Sequence, residues 1–260
     1  MKKITLILLL TIYSFGYDVF VSIAPQVSML KAIGGSKLSV SVLVPSGASP
    51  HTFSPKPKDM IKLSKAKAYF GIGVEFEDVW LKKFSSQNPS LKVVDLSQGI
   101  KKINNNPHIW LSFKNLSVMA KKAKDTLIMI DGKNSEFYEK NYQNYLKQLQ
   151  ACHDSIQKML EKKNQRVFMT FHPAFTYFAK EFNLTQVAVE IDGKEPSLRE
   201  LLKVIKIAKE KKITTIITSP EFSDKSARVI AKELGATIIM ISPLNPNICN
   251  TTKLIANTLR

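Results

Sequence analysis

The first half of the chain alternates short apolar, β-branched runs with segments of helical periodicity. The runs VFVSIA and VSVLV are nearly continuous in apolar residues, as expected for strands that helices cover on both faces. The pattern predicts strands at residues 17–24, 38–44, 66–71 and 92–95, with helices near 26–33, 58–63 and 77–84. Because predicted strands alternate with helices, we expect a parallel α/β layer.

The same alternation returns in the second half, with predicted strands at 166–170, 185–190, 213–218 and 237–241 and helices after them. Between the halves, residues 134–164 have apolar side chains at roughly helical spacing and contain no glycine or proline. About thirty residues at 1.5 Å each would form a rod of roughly 45 Å. We therefore predict an α/β fold of two lobes, each with a parallel four-stranded sheet flanked by helices, joined by one long rigid linking helix.

The first sixteen residues, MKKITLILLLTIYSFG, have the features of a secretory signal peptide. Lys2 and Lys3 precede an apolar core, and the small residues Ser14 and Gly16 suit cleavage after Gly16. The apolar run is too short to span a bilayer, and no cysteine lies near the junction to carry a lipid anchor. We expect a secreted, soluble protein, with an uncleaved N-terminal membrane anchor as the alternative. The predicted boundaries are a signal peptide at 1–16, an N-terminal lobe at 17–133, the linking helix at 134–164 and a C-terminal lobe at 165–260.

The formal net charge of +17 raises the question of nucleic-acid binding, since counterion release favours a basic surface. The lysines, however, are spread through every segment, with no arginine-rich stripe and no interleaved aromatic residues. This distribution is typical of solvated helix faces. We expect no nucleic-acid partner.

Two cysteines, Cys152 and Cys249, remain in a chain that should meet an oxidising compartment. They form neither a CxxC pair nor any spacing typical of metal ligands. Cys152 falls in the predicted long helix and Cys249 in a predicted loop. The sequence favours buried or free thiols and leaves a disulfide open.

Three of the four histidines lie beside a proline in a predicted loop: Pro50-His51, Pro107-His108 and His172-Pro173. Proline stiffens a loop, so an adjacent imidazole is held in place before binding. His51 and His172 follow predicted strands of different lobes, and ligands of open α/β sheets bind outside the carboxyl ends of strands. His108 precedes a predicted helix after Ser112 and could close a third side. The pattern predicts one metal site in the cleft between the lobes, whereas His153 lies inside the linking helix and is assigned a structural role.

Six segments together resemble one family of binding proteins. They are, in chain order, SIAPQVSMLKAIGG, VPSGASPHTFSPKPKDM, NPHIWLS, TFHPAFTYFAKEFNL, GKEPSLREL and SPLNPNI. They are similar to segments of the metal-binding lipoprotein and ZnuA-type family, the periplasmic solute-binding subunits of zinc and manganese ABC importers. The matches keep the family's order and span nearly the whole chain after the signal peptide.

The resemblance implies a function and a set of ligands. His51, His108 and His172 fall where the family has its first three metal ligands, and histidine instead of glutamate at the third position points to zinc. Neutral imidazole suits Zn²⁺, whereas Mn²⁺ prefers more oxygen ligands. We therefore expect a periplasmic monomer that binds one Zn²⁺ as transported ligand and delivers it to the membrane permease of an ABC importer. A manganese or iron receptor of the same family is the alternative.

The chain departs from the family pattern at three places. Ser242 stands where the family usually has an aspartate, so a water or a nearby carboxylate would have to complete the metal site. The stretch before the second ligand is only GIKKINNNPH, which implies that the protein lacks the long histidine-rich, metal-collecting loop of many zinc receptors. The family's Glu-Pro-Gln-Phe reads Ser-Pro-Glu-Phe here. Its Glu221 could hydrogen-bond to a metal ligand or be the missing ligand itself, although a surface or helix N-terminal role is favoured.

An open position on three histidines is also typical of catalytic zinc. A zinc hydrolase needs a general base, and Glu190 and Glu195 are possible bases because they lie near predicted strand ends of the second lobe. The sequence contains no HExxH, GxSxG or GxxxxGK motif. We therefore expect a binding protein and not an enzyme, with no catalytic residue and no resident cofactor.

Overall fold

The computed structural model describes residues 16–190 and 195–260. The predicted signal peptide, apart from Gly16, therefore lies outside the described residues. Within the described ranges, no helix is both long and apolar enough to cross a bilayer.

The N-terminal lobe is a parallel four-stranded sheet in the order β2-β1-β3-β4. Its strands are β1 (Tyr17–Val21), β2 (Leu38–Val42), β3 (Ala68–Gly71) and β4 (Lys92–Asp95). The helices that alternate with them are α1 (Ala24–Gly34), α2 (Pro57–Leu63) and α3 (Glu75–Gln87). Strand β3 is buried along its whole length, because it lies inside the sheet and is covered on both faces.

The C-terminal lobe repeats this arrangement, with a parallel sheet in the order β6-β5-β7-β8. Its strands are β5 (Val167–Thr170), β6 (Thr185–Ala188), β7 (Thr215–Thr218) and β8 (Thr237–Met240). The helices are α6 (Thr176–Glu181), α7 (Leu198–Glu210), α8 (Lys225–Leu234) and α9 (Ile248–Thr258). The predicted fold class is therefore confirmed, while the exact boundaries of the two lobes stay a prediction.

Two helices connect the lobes, α4 (Phe113–Ile130) and the long α5 (Ser135–Glu161). Helix α4 begins after Ser112, whose hydroxyl accepts a hydrogen bond from the amide of Asn115. The 27 residues of α5 correspond to a rod of about 40 Å. This helix begins one residue later and ends three residues earlier than the sequence pattern predicted.

The two cysteines are joined in a disulfide that ties α5 to α9. The preference for free thiols was therefore wrong, and Cys249 lies in the first turn of α9 instead of a loop. The pairing could not be read from the sequence because the cysteines are 97 positions apart, and only the packing of α9 against α5 brings them together.

The hydrophobic core does not stop at the lobe boundary. One cluster of buried residues includes Val19, Trp110, Phe178 and Ile241, so it extends from the first sheet through the connecting helices to the inner side of the second sheet. A smaller cluster lies under α7 and α8 on the far side of the second sheet. Because the lobes share the larger core, we expect them to resist wide separation.

A buried carboxylate fixes the turn that follows β3. Glu77 is 3 % exposed and accepts hydrogen bonds from the amides of Ile72 and Gly73, both at 2.9 Å, and from the Ser22 hydroxyl. The carboxylate approaches closely because Gly71 has no Cβ, which would lie 2.8 Å from Oε2. Burial raises the pKa of Glu77 despite these hydrogen bonds. The turn positions the start of α3, which contributes Glu75 to the site described next.

Candidate metal centre

His172 follows β5 by two residues and projects from the carboxyl edge of the second sheet. Its Nδ1 lies 2.9 Å from Oε2 of Glu190, which is 7 % exposed and comes just after the neighbouring strand β6. The ring of Phe222 stacks on the imidazole, with 4.0 Å between centroids and 17° between planes. A carboxylate and an aromatic ring therefore fix this side chain in one orientation.

His108 is buried, with 3 % exposure, immediately before a short 3-10 turn that leads into α4. The side-chain oxygen of Asn106 accepts hydrogen bonds from the His108 amide at 2.9 Å and from its Nδ1 at 2.7 Å. The Asn106 amide group in turn donates to the carbonyl of Pro173 in the other lobe, at 2.8 Å. Burial, together with the imidazoles of His172 and His51, holds the pKa of His108 well below its usual value. This histidine therefore stays neutral at a lower pH than a solvated imidazole.

His51 lies in the long loop between β2 and α2, after the buried Pro50. Its Nδ1 lies 2.8 Å from Oε1 of Glu75, in the first turn of α3, and its side chain is 26 % exposed. Burial is the largest single effect and opposes ionisation of Glu75. The hydrogen bond from His51, a backbone hydrogen bond and the charges of His51 and Lys102 together outweigh it, so the pKa of Glu75 is lowered. His51 is the most exposed of the three histidines, since the side chain of His172 is only 10 % exposed.

These three side chains, which come from distant segments, meet at one point. One nitrogen of each of His51, His108 and His172 lies within 4.8 Å of the others, and the Nε2 atoms of His108 and His172 are 3.3 Å apart. Each Nδ1 faces an oxygen acceptor, so the hydrogen bonds assign the proton to Nδ1 and leave Nε2 with a free lone pair. Among the described residues, Nε2 of His51 is buried without a hydrogen-bond partner. Three such lone pairs suit a cation. The three neutral rings themselves provide no positive charge to satisfy them.

The sequence did not reveal the residues that orient the imidazoles. Glu75 reads as an ordinary acidic residue in the first turn of a helix, and Glu190 was considered only as a general base. A signal existed for Asn106, because asparagine two positions before a residue commonly accepts a hydrogen bond from its amide. The packing of Phe222 on His172 left no sequence signal.

The other candidate residues lie in different surroundings. Glu221 is partly buried and accepts a hydrogen bond from the Ser242 hydroxyl. It precedes α8 by four residues and therefore does not lie in the first turn of that helix. Glu195 is exposed and accepts a hydrogen bond from Ser226, while part of the GKEPS segment lies outside the described residues. His153 lies on the linking helix and stacks on Phe182, which follows α6, with 4.9 Å between ring centroids. It takes no part in the three-histidine cluster.

Known proteins are similar to this chain in fold and in sequence. The crystal structure named ZnuA superposes with a TM-score of 0.89 at 38 % identity, covering 93 % of this chain and 96 % of that one. The high-affinity zinc uptake system protein ZnuA of Bacillus subtilis (strain 168) is 29 % identical over 243 residues, which are 85 % of this chain and 76 % of the relative. The iron ABC transporter substrate-binding lipoprotein MtsA of Streptococcus pyogenes serotype M1 is 25 % identical over 232 residues, 81 % of this chain and 74 % of the relative.

The family whose model matches this chain is described as the periplasmic component A of the zinc-uptake complex. The match covers residues 19–256, which include both sheets, the linking helix and all three clustered histidines. The chain therefore belongs to the ZnuA family of periplasmic zinc-uptake components.

Proposed function

We propose that this protein is the periplasmic solute-binding component of an ABC-type zinc importer. In this proposal it binds one Zn²⁺ through Nε2 of His51, His108 and His172 and delivers the ion to a membrane permease. The observation that carries the proposal is the arrangement of the three rings: each Nδ1 is bonded to an oxygen acceptor, one nitrogen of each ring lies within 4.8 Å of the others, and Nε2 of His108 and His172 are 3.3 Å apart.

The donor set fits zinc in chemistry and in charge. Two imidazole nitrogens with free lone pairs cannot hydrogen-bond to each other, so the 3.3 Å approach of His108 and His172 calls for a cation between or beside them. Neutral imidazole is a preferred ligand of Zn²⁺, and partners on the second ring nitrogen fix the tautomer that binds metal. Fe²⁺ is an alternative cargo because one relative is named for iron, and Mn²⁺ is another because the resemblance includes manganese receptors.

The surroundings of the site support binding over catalysis. A hydrolase would need a free general base beside the metal-bound water. Glu190 is already bonded to His172, and Glu195 is bonded to Ser226 at the surface. The two carboxylates that the sequence offered as bases therefore have other partners.

Release of the ion to the permease requires the three nitrogens to separate. Wide hinging is opposed by the shared core and by hydrogen bonds between the lobes, among them Tyr177 Oη to Asn106 O at 2.7 Å and Trp110 Nε1 to Pro243 O at 2.8 Å. The loop that contains His51 has the most exposed of the three imidazoles. We infer that release proceeds by movement of this loop, with little rotation of one lobe against the other.

Zinc titration of site variants tests the proposal. Metal analysis of the purified wild-type protein and competition with a chromophoric chelator should give one zinc per chain. His172→Ala should lose this zinc, because it removes one of the three ligands. It also leaves Glu190 without its imidazole partner. His153→Ala is the matched control, because this histidine lies on the linking helix outside the cluster, and its variant should bind zinc as the wild type does.

Two results would contradict the proposal. Equal zinc binding by His172→Ala and the wild type would show that the ion is held elsewhere. Titrations in which Mn²⁺ displaces Zn²⁺ at equal concentration would replace zinc by manganese as cargo, because the intrinsic order of affinities favours zinc.

A further inference from the structure

The short segment before His108 folds into a tight turn over residues 103–106. The amide of Asn106 donates a hydrogen bond to the carbonyl of Ile103 at 2.9 Å, and the two central residues, Asn104 and Asn105, have left-handed φ angles of 47° and 56°. Positive φ at both central positions is typical of a type I′ turn, and asparagine adopts this conformation more readily than most residues. The run Asn-Asn-Asn-Pro-His therefore encodes a defined turn, although the sequence itself suggested only a short loop.

A tyrosine from the other lobe bridges the two ends of this turn. Tyr177, in α6, is 5 % exposed. Its hydroxyl accepts a hydrogen bond from the amide of Ile103 at 3.0 Å and donates one to the carbonyl of Asn106 at 2.7 Å. Because a phenol hydroxyl is both a donor and an acceptor, it can make both bonds at once. The turn is thus fastened to the C-terminal lobe through one buried side chain.

The side chain of Asn106 connects this turn to two of the clustered histidines. Its Oδ1 accepts from the amide and Nδ1 of His108, and its Nδ2 donates to the carbonyl of Pro173, the residue directly after His172. Only this orientation of the side-chain amide gives the Pro173 carbonyl a donor and the His108 amide an acceptor. One side chain therefore orients an imidazole of the first lobe and contacts the backbone next to an imidazole of the second.

This arrangement matters because the two imidazoles come from different lobes. Their Nε2 atoms lie 3.3 Å apart, and two acceptor nitrogens do not attract each other before a cation binds. The hydrogen bonds made by Tyr177 and Asn106 oppose their separation. Ligands that are already in place lose less conformational freedom when the ion binds, so the ion is bound more tightly.

We propose that Tyr177 and Asn106 are positioning residues, which clasp the lobes at this turn and hold His108 and His172 as a preassembled pair of ligands. This rests on the proposed function, because the pair has a use only if the three imidazoles bind the ion. The clasp raises the affinity for Zn²⁺ without contacting it. His51, the most exposed of the three, is then the ligand that completes the site.

The variant Tyr177→Phe removes the hydroxyl and keeps the buried ring. It leaves the Ile103 amide and the Asn106 carbonyl without this partner. In competition titrations, we expect it to bind one Zn²⁺ about tenfold more weakly than the wild type, as the net value of the lost hydrogen bonds suggests.

Tyr138→Phe is the matched control. Tyr138 is also fully buried and its hydroxyl also makes a hydrogen bond, to Asp131 at the junction of α4 and α5, outside the three-histidine cluster. This variant should bind zinc within about twofold of the wild type, because its lost bond shares no partner with the site.

A double-mutant cycle separates positioning from a general loss of stability. Asn106→Ala should weaken zinc binding about 10–100-fold, because it removes the acceptor that orients His108. Adding Tyr177→Phe to Asn106→Ala should weaken binding further by less than about twofold, because both residues act through the same contact. An equal loss from Tyr177→Phe in both backgrounds would mean that the tyrosine does not act through Asn106, and would overturn the clasp.

Hydrogen exchange in the wild-type protein tests preassembly without any substitution. The amides of Ile103 and His108 should be protected in the metal-free protein nearly as well as in the zinc-bound protein, because their acceptors are Tyr177 and Asn106 and not the ion. Fast exchange of both amides that slows only when zinc is added would overturn the proposal.

The titrations also distinguish this proposal from the function on which it rests. Wild-type affinity in Tyr177→Phe, with zinc lost in His172→Ala, would overturn the clasp and leave the three-histidine site standing. Absence of zinc binding by the wild-type protein would overturn both.

Discussion

The disulfide between Cys152 and Cys249 should contribute a large share of the stability of this fold. It closes a loop with a sequence separation of 97 between the linking helix and α9, and replacing both cysteines by alanine frees that loop in the unfolded chain. The loop-closure relation for this length gives about 4.7 kcal/mol at 25 °C. We therefore expect the free energy of unfolding of Cys152→Ala/Cys249→Ala to fall by about 4–5 kcal/mol.

Urea unfolding of metal-free protein, followed by circular dichroism, measures this difference. The wild type in the presence of a reductant should unfold at the same urea concentration as the double variant, because both lack the closed loop. Zinc affinity should change little in either, since the three imidazoles and their Nδ1 partners are untouched. A loss below about 1 kcal/mol in both forms would refute the chain-entropy reasoning, because native packing would then supply the stability assigned to the bond.

Three further changes test the site and its supports. In Glu190→Ala, His172 loses the acceptor that orients it, so zinc affinity in competition titrations should fall about 10–100-fold. Glu190→Gln keeps an acceptor and should recover most of that affinity. Wild-type affinity in the alanine variant would contradict an orienting role. Glu77→Ala leaves the amides of Ile72 and Gly73 without their acceptor, while the Ser22 hydroxyl keeps only Tyr69 as a partner. Urea unfolding should therefore show a loss of about 3 kcal/mol, and a loss under about 1 kcal/mol would show that water replaces the carboxylate. The pKa of His108 is depressed in the folded protein. As the pH falls below about 6.5, this residue therefore binds a proton in the unfolded chain before it does so in the folded one. The free energy of unfolding contributed by neutral His108 above that pH is thus lost on acidification. The melting temperature of the metal-free protein between pH 7.5 and 5 should fall more steeply in the wild type than in His108→Ala, and equal slopes would contradict the shifted pKa.

The alternation of strands and helices could be predicted because it depends on local periodicity. Apolar runs of strand length, such as VFVSIA and VSVLV, indicate strands covered on both faces, and the structure contains both strands in parallel sheets. The ends of elements were less certain: the first predicted strand extended to residue 24, but β1 ends at Val21 because α1 begins at Ala24. Boundaries depend on capping and packing that the periodicity does not contain.

In the candidate site, too, some residues could be predicted from the sequence and others could not. His51, His108 and His172 could be singled out because each lies beside a proline in a segment with chemistry suited to a metal. Their orienting partners could not, because a glutamate at the start of a helix or after a strand has many roles. Glu75 and Glu190 became recognisable only in the structure, where they lie 2.8 Å and 2.9 Å from imidazole nitrogens.

The sequence by itself determined the two α/β halves, the long helix between them and the three histidines of the predicted site, because each is a matter of residue type and local spacing. Only the tertiary structure decided which oxygen acceptor each imidazole Nδ1 contacts, that the two cysteines pair, and that Glu221 bonds to Ser242. The physical reason is that these contacts join residues brought together by the order of strands in the sheets and by the packing of helices. That order results from the burial of apolar surface over the whole chain, so no local pattern records it.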